Sequence, residues 1–307
     1  MKPTFASFFT GIGGMDIAFQ DAGFQRIYQN EMDKYCIRTL NYNFSQTLDT
    51  RDIRDVPIEE IPKMDVMIAG FPCQPFSHAG KQEGFEDQRG NLVYFLIPIL
   101  QQLQPKVIFL ENVANFKKYQ DSLIHLLKES TYDPNIAILD ASKYGNIPQH
   151  RERWFLVAFR DKKIEYHFPK EIPLTCMLED ILKWDQKVEE EYYIQETWKH
   201  YNLWKESITE KGSLYQWRRN HLRKNQHHLC PTLTAQMGTG GHNVPLMYTD
   251  FGIRKLTIEE CLMLQGFPKT FQFPKNLALN QKYKQIGNSV CIPVIRRIAK
   301  SIYRCLK

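Results

Sequence analysis

Apolar and polar positions alternate along the first half of the chain with two periods. Short apolar runs that read as strands stand at 5–9, 66–69, 107–110, 137–139 and 154–159, and 26–30, with Ile27 and Tyr28 at its centre, is a further strand candidate. Between them, apolar residues recur at helical spacing over 15–22, 35–43, 91–104 and 121–129. Unbroken apolar strands separated by amphipathic helices predict a parallel sheet covered on both faces. Pro98 is expected to kink the third helix, because proline lacks the amide proton that a helix interior uses. The fold class is therefore α/β, a doubly wound, mostly parallel sheet, which binds ligands beyond the carboxyl ends of its strands.

After about Lys170 the alternation stops. A second, smaller domain is expected over 171–281. The first domain is expected to comprise 1–170 plus 282–307, because 292–305 carries Ile295, Ile298 and Ile302 at helical spacing and should pack back on it. No internal repeat or low-complexity segment interrupts the 307 residues.

Composition narrows the classes. With 43% hydrophobic and 24% charged residues the chain has the profile of a soluble globular protein. No run of about 18 apolar residues is present, and the amino terminus has no cleavable signal pattern, so a cytoplasmic protein is expected. Seven scattered cysteines without a C-x-x-C pair indicate neither a disulfide framework nor a zinc site, and no metal is expected. The net charge of +6 permits nucleic-acid binding without requiring it. Its distribution says more: 179–210 holds nine acids against four bases, whereas 211–230 holds Lys211, Arg218, Arg219, Arg223 and Lys224 and no acid. Tyr215, Trp217 and three histidines lie among those bases, a mixture suited to a polyanion, although a basic surface loop remains the plainer alternative.

Three loops carry candidate chemistry. Phe9-Thr10-Gly11-Ile12-Gly13-Gly14 follows the first strand, so glycines permit a tight turn and close approach of a ligand. Where a dinucleotide fingerprint has its third small residue stands Asp16, an anion poorly suited to a pyrophosphate and compatible with a positively charged nucleoside. Glu31 ends the second strand at the spacing of a ribose-binding acid, and Asp52-Ile53 is placed to meet an adenine. Gly70-Phe71-Pro72-Cys73-Gln74-Pro75-Phe76-Ser77 then sets a thiol on a proline-stiffened loop at the same edge, Glu111-Asn112-Val113 supplies a carboxyl group, and Gln149-His150-Arg151-Glu152-Arg153 supplies two guanidiniums. A thiolate, an acid and arginines suit attack on C6 of a pyrimidine, which makes C5 nucleophilic towards a sulfonium methyl group. C6 of a paired base is shielded, so the nucleotide would have to leave the duplex.

In order and spacing these residues resemble the DNA (cytosine-5)-methyltransferase family of bacterial modification enzymes, over essentially the whole chain. Arg254-Lys255-Leu256-Thr257 and Gly287-Asn288-Ser289-Val290 match two further motifs of that family. The resemblance implies a Rossmann-like fold with a target-recognition domain, and S-adenosylmethionine as methyl donor, released as S-adenosylhomocysteine, with no metal. It implies cofactor contacts from Phe9, Gly11, Gly13, Gly14, Glu31, Met32, Asp52, Ile53, Pro72, Asn288, Ser289 and Val290. Met32 stands where several members carry an aromatic. Cys73 would be the nucleophile, Glu111 the group at N3, Arg153 the group at O2, and Arg151 a support for the loop or a phosphate ligand. Double-stranded DNA would be met by Gln74, Ser77, Arg218, Arg219, Arg223, Lys224, Thr232, Leu233, Gly240 and Gly241. A bacterial or phage-encoded monomer is implied, acting beside a separate restriction endonuclease with no stable protein partner.

Other classes fit less well. A zinc deaminase needs H-x-E and P-C-x-x-C, which are missing from the sequence. A nicotinamide dehydrogenase shares the glycine loop but leaves Cys73, Glu111 and the arginines without a task. A DNA-binding module without catalysis is the main rival, and the intact Cys73 speaks against it. Replacing Arg218 or Arg219 with Ala should weaken DNA binding and reduce the slope of log K against log salt by about 1 per lost phosphate contact, measured by anisotropy titration at several salt concentrations.

Overall fold

The computed structural model describes residues 1–45, 48–71, 90–218, 221–225, 227–237 and 245–307, with only the backbone given at Gly90, Asn91, Val93 and Arg218. The chain forms two compact units. Unit 1 comprises Met1–Asp140, Glu152–Lys170 and Val294–Lys307; unit 2 comprises Ala141–Arg151 and Glu171–Pro293. Residues 141–151 and 282–293 thus group with unit 2. Among the described residues no helix is long and apolar enough to cross a membrane.

Unit 1 runs β1 (Thr4–Phe8), α1 (Gly14–Asp21), β2 (Gln25–Asn30), α2 (Lys34–Asn43), β3 (Val66–Gly70), α3 (Leu96–Leu103), β4 (Val107–Val113), α4 (Gln120–Glu129) and β5 (Asp133–Asp140). After the short α5 (Ala141–Gly145) of unit 2 it resumes with β6 (Glu152–Phe159). The strand order is β2-β1-β3-β4-β6-β5. The first four strands in that order pair in parallel, as the alternation of strands and helices predicts, while β6 is antiparallel to both neighbours. The order reverses between β1 and β3, so the loops leaving these two strands lie at a topological switch point.

β3 and β4 are buried almost throughout, which explains their uninterrupted apolar sequences. On one face of the sheet Phe116 meets Trp154 and Phe71 edge-on, with ring centroids at 4.8 and 5.0 Å. Elsewhere in the unit Phe19 packs on Phe5, Phe24 and Phe109. Pro98 does not kink a long helix. Residues Gly90–Phe95 form a 3-10 helix, α3 begins only at Leu96, and Pro98 falls in its first turn, where an amide proton has no helical partner to lose.

The last helix, α9 (Ile292–Cys305), has the expected bounds and buries Ile295, Ile298 and Ile302 completely. Tyr303 stands edge-on to Phe24 at 5.2 Å, and Arg296 Nε donates to Asp21 at 2.9 Å. Tyr303 also lies against Gly23, where a side chain would approach its ring to 3.3 Å.

Unit 2 contains α6 (Tyr201–Ser207), β7 (Leu214–Arg218), β8 (His221–Lys224), β9 (Pro245–Thr249), β10 (Gly252–Lys255), α7 (Ile258–Gln265) and α8 (Leu279–Asn288). Its four strands form an antiparallel sheet in the order β10-β9-β7-β8. Trp204, Ile208, Tyr215, Trp217, Leu246 and Ile253 make its core, which settles Trp217 as a packing residue. Arg254 is fully buried and donates to Glu260 at 2.8 and 2.7 Å; Glu260 also accepts the Thr257 amide, completing the capping box that starts α7.

Asp16 is likewise fully buried. Its carboxylate accepts from Ser7 Oγ at 2.9 Å, Gln29 Nε2 at 2.8 Å and Arg26 Nη1 at 3.4 Å, tying α1 to β1 and β2. Burial pushes this carboxyl above its ordinary range, against the pull of Arg26. Its charge is therefore turned into the unit and does not discriminate among ligands of the glycine loop. Asp16→Ala leaves Arg26 buried without its counter-charge and should lower the unfolding free energy by about 3–5 kcal/mol, read from urea denaturation.

Candidate active site

At the carboxyl ends of β1 and β2 the backbone turns sharply. Phe9, Gly11 and Gly13 have φ of 53°, 62° and 82°. At Gly11 the space beside the backbone is open, so the requirement there is conformational; at Gly13 a side chain would run into the Phe44 ring at 2.6 Å. Glu31 fixes the loop, accepting the amides of Gly11 at 2.7 Å and Asp33 at 2.8 Å. Burial pushes the Glu31 carboxyl up, and the two amides oppose the shift. Met32, the next residue, is 57% exposed, an uncovered apolar side chain at the same edge.

The segment carrying Asp52 lies alongside β2, since Glu31 N donates to Asp49 O at 3.0 Å and Asn30 Nδ2 to Arg51 O at 2.9 Å. Asp52 caps the turn that follows it and pairs with Arg54, which holds its carboxyl below the usual range. Ile53 is buried in the core, so at this position only backbone remains for a ligand. Phe9, Gly11, Glu31, Met32 and Asp52 thus belong to one edge of unit 1, and Gly14 is the buried first residue of α1.

The acid and one of the arginines meet between β4 and β6. Glu111 Oε1 lies 3.3 Å from Arg153 Nε, and both side chains are largely shielded from water. Register explains the contact: Arg153 pairs with Val113, and Glu111 is two residues earlier on the same face. Gly70, the last residue of β3, pairs with Glu111, and a side chain there would lie 3.7 Å from Glu111 Oε2. The neighbouring Asn112 donates its Nδ2 to Phe71 O at 3.3 Å, and so holds the residue that follows β3. Pro72, Cys73, Gln74 and Ser77 themselves lie outside the described residues.

Arg151 behaves differently from Arg153. It is buried in unit 2, where Nη1 donates to Leu233 O at 2.8 Å and Nη2 to Gly287 O at 3.1 Å and to Ser289 O. These bonds join Arg151 to the segments around Leu233 and Ser289. Gln149, quoted in the sequence motif but assigned no role, is the residue that reading missed. Its Nε2 donates to Leu264 O at 2.7 Å and its Oε1 accepts the Leu233 amide at 3.2 Å. Its signal was the placing of a glutamine two residues before Arg151 and four before Arg153. Thr232 Oγ1 donates to His150 O at 2.6 Å, and Leu233 is fully buried. In the last motif Asn288 is exposed, whereas Ser289 and Val290 are buried.

The basic stretch is partly neutralised within unit 2. Lys224 pairs with Glu210, and Lys211 with Asp185 and Asp250. These pairs are exposed, so solvent screens them and they add little to stability. Arg223 is exposed on β8, the backbone of Arg218 pairs with His221, and Arg219, Gly240, Gly241, His242 and Asn243 lie outside the described residues.

The sequence profile of the family described as C-5 cytosine-specific DNA methylase matches residues 3–304. Among curated proteins the chain is 42% identical to the type II methyltransferase M.Bsp6I of Bacillus sp. (strain RFL6), over 98% of each chain. It is 34% identical to M.HhaI of Haemophilus parahaemolyticus, over 97% of this chain and 93% of that one. In three dimensions it resembles a DNMT2 from Spodoptera frugiperda, with a TM-score of 0.80, 22% identity, and 98% and 100% of the two chains covered. The fold of a DNA modification methyltransferase encoded in an E. coli prophage also matches, with a TM-score of 0.75 and 20% identity over 99% of both chains. With its motifs in order from the glycine loop to Val290, the chain belongs to the C-5 cytosine-specific DNA methylase family and is a DNA (cytosine-5-)-methyltransferase.

Proposed function

We propose that the enzyme transfers the methyl group of S-adenosylmethionine to C5 of a cytosine swung out of double-stranded DNA, as the modification enzyme of a type II restriction–modification system. The observation that carries this reading is the Glu111–Arg153 pair beside Gly70, because it sets an acid and a guanidinium next to the end of β3, from which Cys73 is three residues away in the sequence. The names of the curated relatives support the restriction–modification setting.

The residues at the glycine loop fit the donor. The open space at Gly11, the buried Glu31 carboxylate and the uncovered Met32 together offer a cradle for an adenosine. Glu31 would accept the ribose hydroxyls, Phe9 and Met32 would flank the adenine, and Asp52 with the Ile53 backbone would meet its polar edge. When bound, the donor supplies a methyl carbon activated by its sulfonium.

The chain's own residues do the remainder. Extruding the cytosine costs a few kcal/mol, which pocket contacts must offset. The Cys73 thiolate bonds to C6, and the electron pair of the C5–C6 double bond becomes available at C5. Glu111 holds a proton at N3, so that negative charge does not accumulate on the ring, and Arg153 holds O2. After C5 has gained its new carbon, loss of the C5 proton restores the double bond and expels the Cys73 sulfur. No metal takes part in this scheme.

Bisulfite sequencing of DNA from cells expressing the protein should reveal 5-methylcytosine at one short site. Cys73→Ser should remove that signal while calorimetry still detects S-adenosylhomocysteine binding; continued methylation would exclude the thiol from the reaction. Glu31 yields a separate expectation. Only its ionised form accepts the loop amides and ribose hydroxyls together, and its pKa is raised above the ordinary 4.5. Affinity for S-adenosylhomocysteine should be full above that raised pKa and fall as pH drops through it, starting at a higher pH than for an ordinary glutamate. Glu31→Gln should bind more weakly at neutral pH, with a flat profile over the same range.

A further inference from the structure

We propose that Arg26 is a positioning residue for methyl transfer: held by Asp16, it fixes the Phe44 ring against Gly13 and so keeps the glycine loop in the shape that receives the donor. The inference rests on the donor reading given under Proposed function. All of its parts belong to unit 1. Gly13 has a left-handed φ of 82°, a conformation that glycine adopts freely and leaves just as freely unless its surroundings hold it. Phe44, the residue that follows α2, closes the space beside it. A first side-chain carbon at Gly13 would stand 2.6 Å from Cε2 of that ring and 2.8 Å from Cζ.

The Arg26 guanidinium lies over the same ring, its Cζ 4.7 Å from the centroid, where a cation is drawn to the aromatic face. Arg26 is only 4% exposed, and Asp16 accepts from its Nη1 at 3.4 Å, so the charge that meets the ring is itself compensated. A planar guanidinium can stack on a ring while donating in its own plane, which a single ammonium group cannot. A second path leaves the same carboxylate. Ser7 Oγ donates to Asp16 at 2.9 Å, Thr10 Oγ1 donates to Ser7 Oγ at 3.1 Å, and the Gly13 amide donates to Thr10 O at 3.0 Å. The hydrogen-bonded path ties down the backbone ahead of Gly13, and the path through Arg26 and Phe44 fills the space beside it. Without the second, the turn has room to leave its left-handed state, and apparent affinity for the donor falls with the fraction of chains that keep it.

The test measures S-adenosylhomocysteine binding to the full chain by calorimetry, with the KM for S-adenosylmethionine and kcat taken from methyl transfer to duplex DNA. Arg26→Lys keeps a cation beside Asp16 and loses the planar stack; the Kd and the donor KM should each rise about tenfold, with kcat within about twofold. Phe44→Leu should do the same. The double variant should be no more than about twofold weaker than either single one, because both changes remove one contact. A merely structural role would lower the binding stoichiometry and kcat by the unfolded fraction and leave Kd and KM in place. That result overturns the proposal, as do losses that multiply to about a hundredfold in the double variant. Should Arg26→Lys not fold, Phe44→Leu decides alone, since Phe44 is half-buried, and an unchanged Kd there overturns the positioning role. Failure of the unaltered protein to bind S-adenosylhomocysteine overturns the donor reading and the proposal with it; binding that the variants leave unchanged overturns the proposal alone.

Discussion

The direction of one strand governs the chemistry of unit 1. Because β6 runs against β4, its first residues lie beside the last residues of β4, and Arg153 comes within reach of Glu111. Had β6 been parallel, a residue at its start would have lain at the amino edge, a strand length of roughly 20 Å from the acid. The reversal needs no crossover helix, since antiparallel neighbours can be joined by a short connection. β6 is reached in this way from β5, its other antiparallel neighbour, through the stretch 141–151, which carries α5 and ends at Arg151.

This direction was not legible in the sequence. The apolar run at 154–159 has the composition of a buried strand whichever way it runs, and the regular alternation before it suggested another parallel neighbour. What could be read was order: glycine loop, acid, thiol loop, acid, arginines. Each element from β1 to β4 has its expected place because β3 and β4 are apolar throughout and so must be buried on both faces. The orientation of single polar side chains was less accessible. Asp16 and Arg151 both looked available to ligands, and each is spent inside its own unit on partners distant in the sequence. Ile53 is a similar case, its side chain being taken by the core. Unit 2 was legible only as a change of pattern, since short antiparallel strands rich in bases and aromatics have no strong period.

Two arginines separated by a single residue thus divide their labour. Arg153 opens β6 and faces a carboxylate in unit 1, whereas Arg151 ends a stretch of unit 2 and donates to the carbonyl groups of Leu233 and Gly287. Carbonyl partners, lacking formal charge, hold a guanidinium in place without cancelling its charge.

The placement of α9 bears on how the protein is made. Residues 171–293 all belong to unit 2 and precede the helix that packs against Phe24 and Asp21 in unit 1. On a ribosome the sheet of unit 1 can assemble early, yet one apolar side of it stays uncovered while that intervening stretch is translated, on the order of 10 s at ordinary elongation rates. During that interval Phe24 and its neighbours form a sticky surface on a nascent chain, and chaperone demand should be greatest there.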